Sequence, residues 1–153
     1  MTDLAVATTR IAAMSEEGID QVRQLEAAML ESAQPDIMTK HVIHGGVYCR
    51  TMNMPAGCLV TGSLIKIATT LIISGHVTVY VGGETVDFIG YNVTPAGAGR
   101  KIAVLVRIES DLTMLFPTSA KSVEEAEAEF TDEVDLLGSR RVADNNSIII
   151  TGE

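Results

Sequence analysis

The feature that most constrains the fold of this chain is a series of short β-branched runs between residues 41 and 116. Runs such as HVTVYV and KIAVLVRI are separated by PAG, GG, PAGAG and ESD, whose residues favour turns. The runs recur about every ten residues, and no helical pattern lies between them. We therefore expect a mainly β domain of about seven or eight strands, arranged as an antiparallel barrel or sandwich.

The segment HVTVYVGGETVDFIG, residues 76–90, is the clearest hairpin in the chain. Its valines alternate with His, Thr and Tyr along the first arm, and Gly82 and Gly83 supply the turn. Glycines at 75 and 90 predict two further turns, so that Gly75 and Gly90 each end a short strand.

A helical pattern precedes the β-rich region. Residues 15–32 place apolar side chains on one helical stripe, with Ser15 as the N-cap and acidic residues in the first turn. Pro35 prevents the helix from continuing.

A second helical pattern follows the β-rich region. Residues 122–137 predict an acidic amphipathic helix, with Ser122 and Glu125 as a capping box and Gly138 at its end. The apolar run III near the C terminus predicts one more strand, paired with a sheet edge of this chain or of a neighbour.

The length of the chain limits its organisation. At 153 residues it has room for one hydrophobic core. We expect an N-terminal helical segment at 1–40, a barrel at 41–117, and a C-terminal helix with a terminal strand at 118–153.

The composition excludes several classes of partner. A net charge of -9 repels phosphate backbones and anionic bilayers, and aromatic residues for base stacking make up only 4%. We therefore expect neither nucleic acid nor membrane as a partner. The N-terminal residues lack the pattern of a secretory signal, so we expect a cytoplasmic protein. A small anion remains compatible with a local basic pocket.

The order of the turns in residues 44–116 resembles the cupin family. A strand ends at Gly75 before HVTVYV, a two-glycine hairpin follows, and TPAGAGR leads into the next strand. The resemblance implies a single antiparallel jelly-roll barrel, here with an N-terminal helix and a C-terminal acidic amphipathic helix. The whole arrangement also looks like small cupin-like proteins of bacteriophages and prophages, which would place it in the host cytoplasm.

Metal-binding cupins carry two His and a Glu in their first motif and a His in their second. The matching first segment here is SLIKIATT, without His, Glu or Asp, and Arg100 stands where the second motif has its His. A protonated Arg or Lys cannot act as a ligand. The resemblance therefore implies a barrel without a metal or other cofactor. The three remaining histidines fit surface or hydrogen-bonded positions better than a metal site.

Positive charge in place of metal ligands indicates an anion site. If the cupin register holds, Lys66 and Arg100 point into the former metal end, where a buried cation needs an anionic counterpart. The glycine-rich PAGAGRK adds Lys101 and backbone N–H groups. Further polar candidates for the lining are Tyr48, Arg50, Thr69, Thr70, Tyr91 and His44. Alternatively, Lys66 lies at the barrel rim, Arg100 pairs with Glu109 or Asp111, and the tyrosines serve packing.

Three functions are compatible with this pattern. The first is a metal-free, non-catalytic module that binds a small anion, such as a nucleotide-like or sugar-like host or defence metabolite. The second is a virion or assembly component with a filled barrel. The third is a metal-independent sugar epimerase or isomerase that uses His44 and Tyr91. We expect the first, in a chain that forms homo-oligomers.

Overall fold

The computed structural model describes residues 10–153. Three helices and eight strands follow one another in the order α1 (Glu16–Met29), β1 (Met38–His44), β2 (Val47–Met54), β3 (Leu59–Thr61), β4 (Thr69–Tyr80), β5 (Thr85–Ala96), β6 (Ala103–Val106), β7 (Ser110–Pro117), α2 (Val123–Phe130), α3 (Gly138–Arg141) and β8 (Asn146–Ile150). Short 3-10 helices at Val134–Leu136 and Ala143–Asn145 flank α3.

The eight strands form one curled sheet around β4. Strand β5 pairs with the whole length of β4 on one side. On the other side, β7 pairs with residues 70–74 of β4 and β6 pairs with residues 77–80. The remaining order runs from β7 through β2 and β1 to β8. All pairs of strands are antiparallel except β1 with β8, so the expected mainly β architecture with flanking helices is confirmed.

The interior of the curled sheet is the hydrophobic core. Alternate residues of β4 are buried, among them Leu71, Ile73 and Val77, because successive side chains of a strand point to opposite faces. Phe130 of α2 closes one part of this core, where its ring lies 6.4 Å from that of Tyr48. The core thus consists mainly of aliphatic side chains, with a small aromatic group beneath α2.

The turns predicted at glycines 75 and 90 are wrong. Gly75 and Gly90 lie opposite each other within the continuous strands β4 and β5. Gly75 sits where the partner of β4 changes from β7 to β6, and it has a φ of 137°. A Cβ at this position would lie 2.1 Å from the Oγ of Ser110, so the glycine permits the close approach of β7. The hairpin turn at Gly82 and Gly83 is confirmed.

The N-terminal helix is confirmed, whereas the second helix is shorter than predicted. The Ser15 and Ser122 side chains cap α1 and α2 as expected. However, α2 ends at Phe130, because Thr131 is extended and its hydroxyl donates to the carbonyl oxygen of Leu64 at 2.8 Å. Gly138 begins α3 instead of ending α2.

The C-terminal strand pairs with its own sheet. Strand β8 lies parallel to β1, with Thr39 opposite Asn146 and Ile43 opposite Ile150. The backbone N–H of Thr151 extends this pairing with a hydrogen bond of 3.2 Å to the Ile43 carbonyl. Within residues 10–153, no helix has the length and apolar character needed to cross a bilayer.

Replacement of Gly75 by Ala tests the close approach at the centre of β4. We expect Gly75→Ala to lower the free energy of unfolding by roughly 3 kcal/mol or more, because it adds a steric clash to an unfavourable backbone angle. Gly90→Ala is the matched control, since its φ is 79° and no atom lies within 4 Å of the added Cβ. It should cost about 1 kcal/mol. Equal losses in urea titrations would contradict the role given to Ser110.

Candidate functional site

A cavity of about 110 Å³ lies inside the curled sheet, and we call it the barrel cavity. Its walls are mainly aliphatic, with Leu71, Ile102 and Leu112 from the sheet side. Phe130 and residues 136–138 close it from the C-terminal side. Among its described lining residues, the titratable side chains are two arginines, Arg50 and Arg100.

Arg100 reaches the cavity from a segment that is held in place by backbone pairing. The N–H of Ile65 donates to the Arg100 carbonyl at 2.8 Å, and the N–H of Gly99 donates to the Ile65 carbonyl at 2.7 Å. The N–H of Gly97 likewise donates to the Ile11 carbonyl. The amides of Gly97 and Gly99 are therefore occupied by protein acceptors. They are not free to form the anion-binding nest considered from the sequence.

The guanidinium of Arg100 is buried, with only 1% of the residue exposed. One terminal nitrogen donates to the Gly97 carbonyl at 2.8 Å and lies 3.4 Å from the Ile67 carbonyl. The other donates to the Thr69 hydroxyl at 2.7 Å and lies 3.7 Å from the thioether sulfur of Met114. All four of these acceptors are neutral.

The charge of Arg100 has no carboxylate counterpart in the part of the chain that the structure describes. None of the ion pairs among residues 10–153 includes Arg100. Glu109 and Asp111, the partners considered from the sequence, instead accept hydrogen bonds from Asn53. Burial lowers the pKa of Arg100 to about 10, so the guanidinium remains charged at neutral pH.

Lys101 points away from the barrel cavity and is fully buried. Its ammonium nitrogen lies 3.2 Å from the Glu26 carboxylate of α1, 3.1 Å from the Glu133 carboxylate and 2.9 Å from the Gly62 carbonyl. Burial alone would raise the pKa of Glu133, but hydrogen bonds from the Leu64 N–H and Lys101 outweigh it and lower that pKa. Lys101 therefore joins α1 and the segment after α2 to the sheet.

Arg50 also has a carboxylate partner. It donates to Glu127 of α2 at 3.1 Å, and Glu127 accepts a second ionic hydrogen bond of 2.7 Å from Arg140. Burial would raise the pKa of Glu127, whereas hydrogen bonds from Ser139 and Arg140 and the charge of Arg50 together lower it. The sequence contained a signal for this site, because Glu127 falls on the apolar face of α2 near Phe130.

Tyr48 belongs to a buried hydrogen-bond chain beside Arg50. The amide nitrogen of Asn146 donates to the Ser139 carbonyl, so its oxygen faces His41 and accepts from His41 Nε2 at 2.7 Å. His41 Nδ1 then accepts from the Tyr48 hydroxyl at 2.7 Å. Burial is the main reason that the pKa of His41 is lowered, so the imidazole is neutral at neutral pH. This chain fastens β8 to β1 and β2.

Lys66 and Thr70 lie outside the barrel cavity. Ile65 lines the cavity and Lys66 follows it, so the lysine side chain points to the other face. Its ammonium nitrogen is 2.6 Å from the Asp132 carboxylate, with 42% of the side chain exposed. The same alternation places Thr69 against Arg100 and turns Thr70 away.

His44 and Tyr91 are on the surface. Tyr91 is 70% exposed on the outer face of β5, between the exposed side chains of Ile89 and Val93. His44 Nδ1 lies 2.7 Å from the Thr151 hydroxyl at the end of β1. The structure therefore does not bring these two residues to Arg100. The formation of homo-oligomers stays a prediction.

No protein-family model and no curated protein matches the chain, whereas several solved structures share its fold. The chain is similar to a cupin superfamily protein from Desulfitobacterium hafniense, with 12% identity and a TM-score of 0.46 over 61% of this chain and 87% of that one. It is also similar to salicylate 1,2-dioxygenase from Pseudoaminobacter salicylatoxidans, solved as adducts with gentisate, with 12% identity and a TM-score of 0.50 over 85% of this chain and 40% of that one. The fold is that of the cupins. At these identities the similarity concerns the fold alone.

Arg100 lies in the interior of this cupin fold, beside the barrel cavity. Within residues 10–153, no three side chains of His, Cys, Asp or Glu are grouped so that they could hold a metal ion. The charged side chains among the described residues that line the barrel cavity are Arg50 and Arg100.

Two lysine variants test which ion pairs stabilise this cupin fold. We expect Lys101→Met to lower the free energy of unfolding by about 3–5 kcal/mol, because it leaves two carboxylates beside a buried site without their cation. Lys66→Met is the matched control and should cost about 1 kcal/mol or less, since its ion pair is exposed. Urea unfolding measures both values. A loss at Lys66 as large as that at Lys101 would contradict this assignment.

The neutral His41 predicts a loss of stability in mild acid. Its pKa in the folded state lies below the usual 6.5, so the unfolded chain takes up a proton first as the pH falls through 6.5. The free energy of unfolding should then fall by up to about 1.4 kcal/mol per pH unit. This fall precedes the titration of Glu127 and Glu133, whose pKa values are lowered below 4.5.

Urea titrations between pH 7.5 and 5.5 measure this dependence. His41→Gln should flatten it over the same interval, because glutamine has no proton to gain there. An unchanged slope in the variant would assign the acid sensitivity to other groups.

Proposed function

We propose that this chain is a non-catalytic binding protein with a cupin fold, which holds a small anion in the barrel cavity at Arg100. The observation that carries the proposal is a buried guanidinium that lines a cavity and has only neutral acceptors among the described residues. Buried charges in proteins are normally paired with an opposite charge or a bound ion. An anionic ligand supplies the missing partner.

The energetic cost of the unpaired charge favours ligand binding. Burial lowers the pKa of Arg100 from its ordinary value to about 10. A shift of this size corresponds to about 3 kcal/mol of unfavourable burial of the charged form. The cost is present at neutral pH in the free protein, and an anion beside the guanidinium offsets it.

The contacts of Arg100 indicate where the anion binds. One terminal nitrogen faces Met114, whose sulfur is a weak acceptor at 3.7 Å and also lines the barrel cavity. An anionic oxygen replaces this contact with a charge-assisted hydrogen bond, which is about twice as strong as a neutral one. The hydrogen bonds to the Gly97 carbonyl and the Thr69 hydroxyl are kept when the anion binds, and they fix the orientation of the guanidinium plane.

The other cations considered from the sequence have protein partners. Lys101 is paired with two carboxylates, and Arg50 is paired with Glu127. The proposed site is therefore centred on Arg100, with Thr69 beside it and Arg50 in the cavity wall. A non-catalytic role follows from the lining, because its described residues include no His, Lys, Tyr or carboxylate to transfer a proton.

Binding of simple anions to an arginine variant tests the proposal. We expect acetate or another small anion to stabilise the wild-type protein at constant ionic strength. At about 100 times its dissociation constant, it adds about 2.7 kcal/mol and raises Tm by about 5–10 °C. Arg100→Met should lose this effect, and Arg100→Lys should retain part of it.

Arg107→Met is the matched control, since it removes the same charge from an exposed position on the outside of the sheet. It should respond to anions as the wild type does. Circular dichroism establishes that each variant is folded. The proposal is wrong if no anion stabilises the wild type beyond the effect of ionic strength, or if Arg100→Met responds equally.

A further inference from the structure

The charge, size and walls of the barrel cavity restrict the anion further. We propose that the ligand is a short-chain aliphatic monocarboxylate, with its carboxylate on Arg100 and its hydrocarbon chain along the apolar wall. This inference rests on the function proposed above, and it names the chemical class that the same site accepts.

The charge of the site matches a single negative charge. Arg100 contributes one buried positive charge without a carboxylate partner, whereas Arg50 is paired with Glu127, which it shares with the partly exposed Arg140. A dianion such as phosphate or sulfate brings a second negative charge, and the other cation of the cavity wall, Arg50, is already bonded to Glu127, so burying that charge in a largely apolar interior is costly. A monocarboxylate brings no second charge, and its two oxygens suit the planar guanidinium.

The volume of the barrel cavity favours small ligands. A cavity of about 150 Å³ holds benzene, with six heavy atoms, whereas the barrel cavity measures about 110 Å³. It therefore has space for about four or five heavy atoms, which corresponds to acetate or propionate. Nucleotides and sugars, considered from the sequence, need pockets of the roughly 300–1,000 Å³ usual for larger ligands.

The walls favour hydrocarbon over hydroxyl groups. Beyond Arg100, most of the cavity wall consists of apolar side chains such as Leu71, Ile102, Leu112 and Phe130, and its other polar side chains are those of Arg50, Thr61 and Ser63. The apolar side chains offer no hydrogen bonds to the hydroxyls of a sugar, whose burial would be unfavourable. Each methylene placed against them should instead raise affinity by about fourfold, until the space is filled.

Met52 limits the length of the chain. A second cavity of about 190 Å³ adjoins the first on the side of residues 34–37, and both are lined by Met52, Val60 and Leu136. Shortening Met52 to Ala removes part of the wall that the two cavities share. Longer carboxylates should then extend from Arg100 into the second cavity.

A chain-length series tests this inference on the full-length protein. Dissociation constants are measured by calorimetry for formate, acetate, propionate, butyrate and hexanoate, and for phosphate, at pH 7 and constant ionic strength. We expect affinity to rise by about fourfold per carbon from formate to propionate and to fall by at least tenfold at hexanoate. Phosphate should bind at least tenfold more weakly than propionate.

Variants assign the effect to the cavity. Arg100→Met should abolish binding of every carboxylate, and Met52→Ala should shift the optimum to butyrate or longer acids. Met38→Ala is the matched control, because Met38 is 51% exposed on β1, and it should leave the optimum unchanged.

Two results separate the inference from the function on which it rests. If anions bind at Arg100 but affinity is independent of chain length, or if phosphate binds best, the monocarboxylate assignment is wrong and the anion-binding function stands. If no anion binds in a manner that depends on Arg100, both are wrong.

Discussion

The buried ion pair between Lys101 and two carboxylates is the interaction on which the arrangement of this cupin fold depends. Glu26 comes from the N-terminal helix and Glu133 from the segment after the second helix, so one ammonium group joins three distant parts of the chain. Arg23 adds an outer contact to Glu133. Lys101 thus attaches both helical parts to the sheet, and Arg50 of β2 adds a second buried ion pair with Glu127 of α2.

The three buried cations differ in how their charge is balanced. Lys101 has two carboxylates, and Arg50 shares Glu127 with Arg140, whereas Arg100 has only neutral acceptors. Among the described residues, buried or half-buried carboxylates bond to Lys101 and Arg50, whereas none forms an ion pair with Arg100. This contrast is the reason that Arg100 is a candidate for ligand binding and the other two are structural.

The sequence predicted structure best where that structure depends on residues that are close together in the chain. The Ser122 cap and the two-glycine hairpin were predicted because such signals act over a few positions. Gly75 was misread as a turn, since the Ser110 side chain that requires it approaches from another strand. The early end of the second helix at Thr131 likewise depends on a distant carbonyl. The sequence could not predict that Arg100 points into the barrel and Lys66 points out, because a shift of one residue in the strand register moves a side chain to the opposite face of the sheet.

The segment that follows the second helix covers the barrel cavity and carries no strand pairing of its own between residues 131 and 145. Opening of this cover breaks the contacts of Glu133 and Glu127 that hold it to the sheet. The residence time of a bound molecule then depends on the rate at which the cover opens as well as on the strength of the bond to the guanidinium.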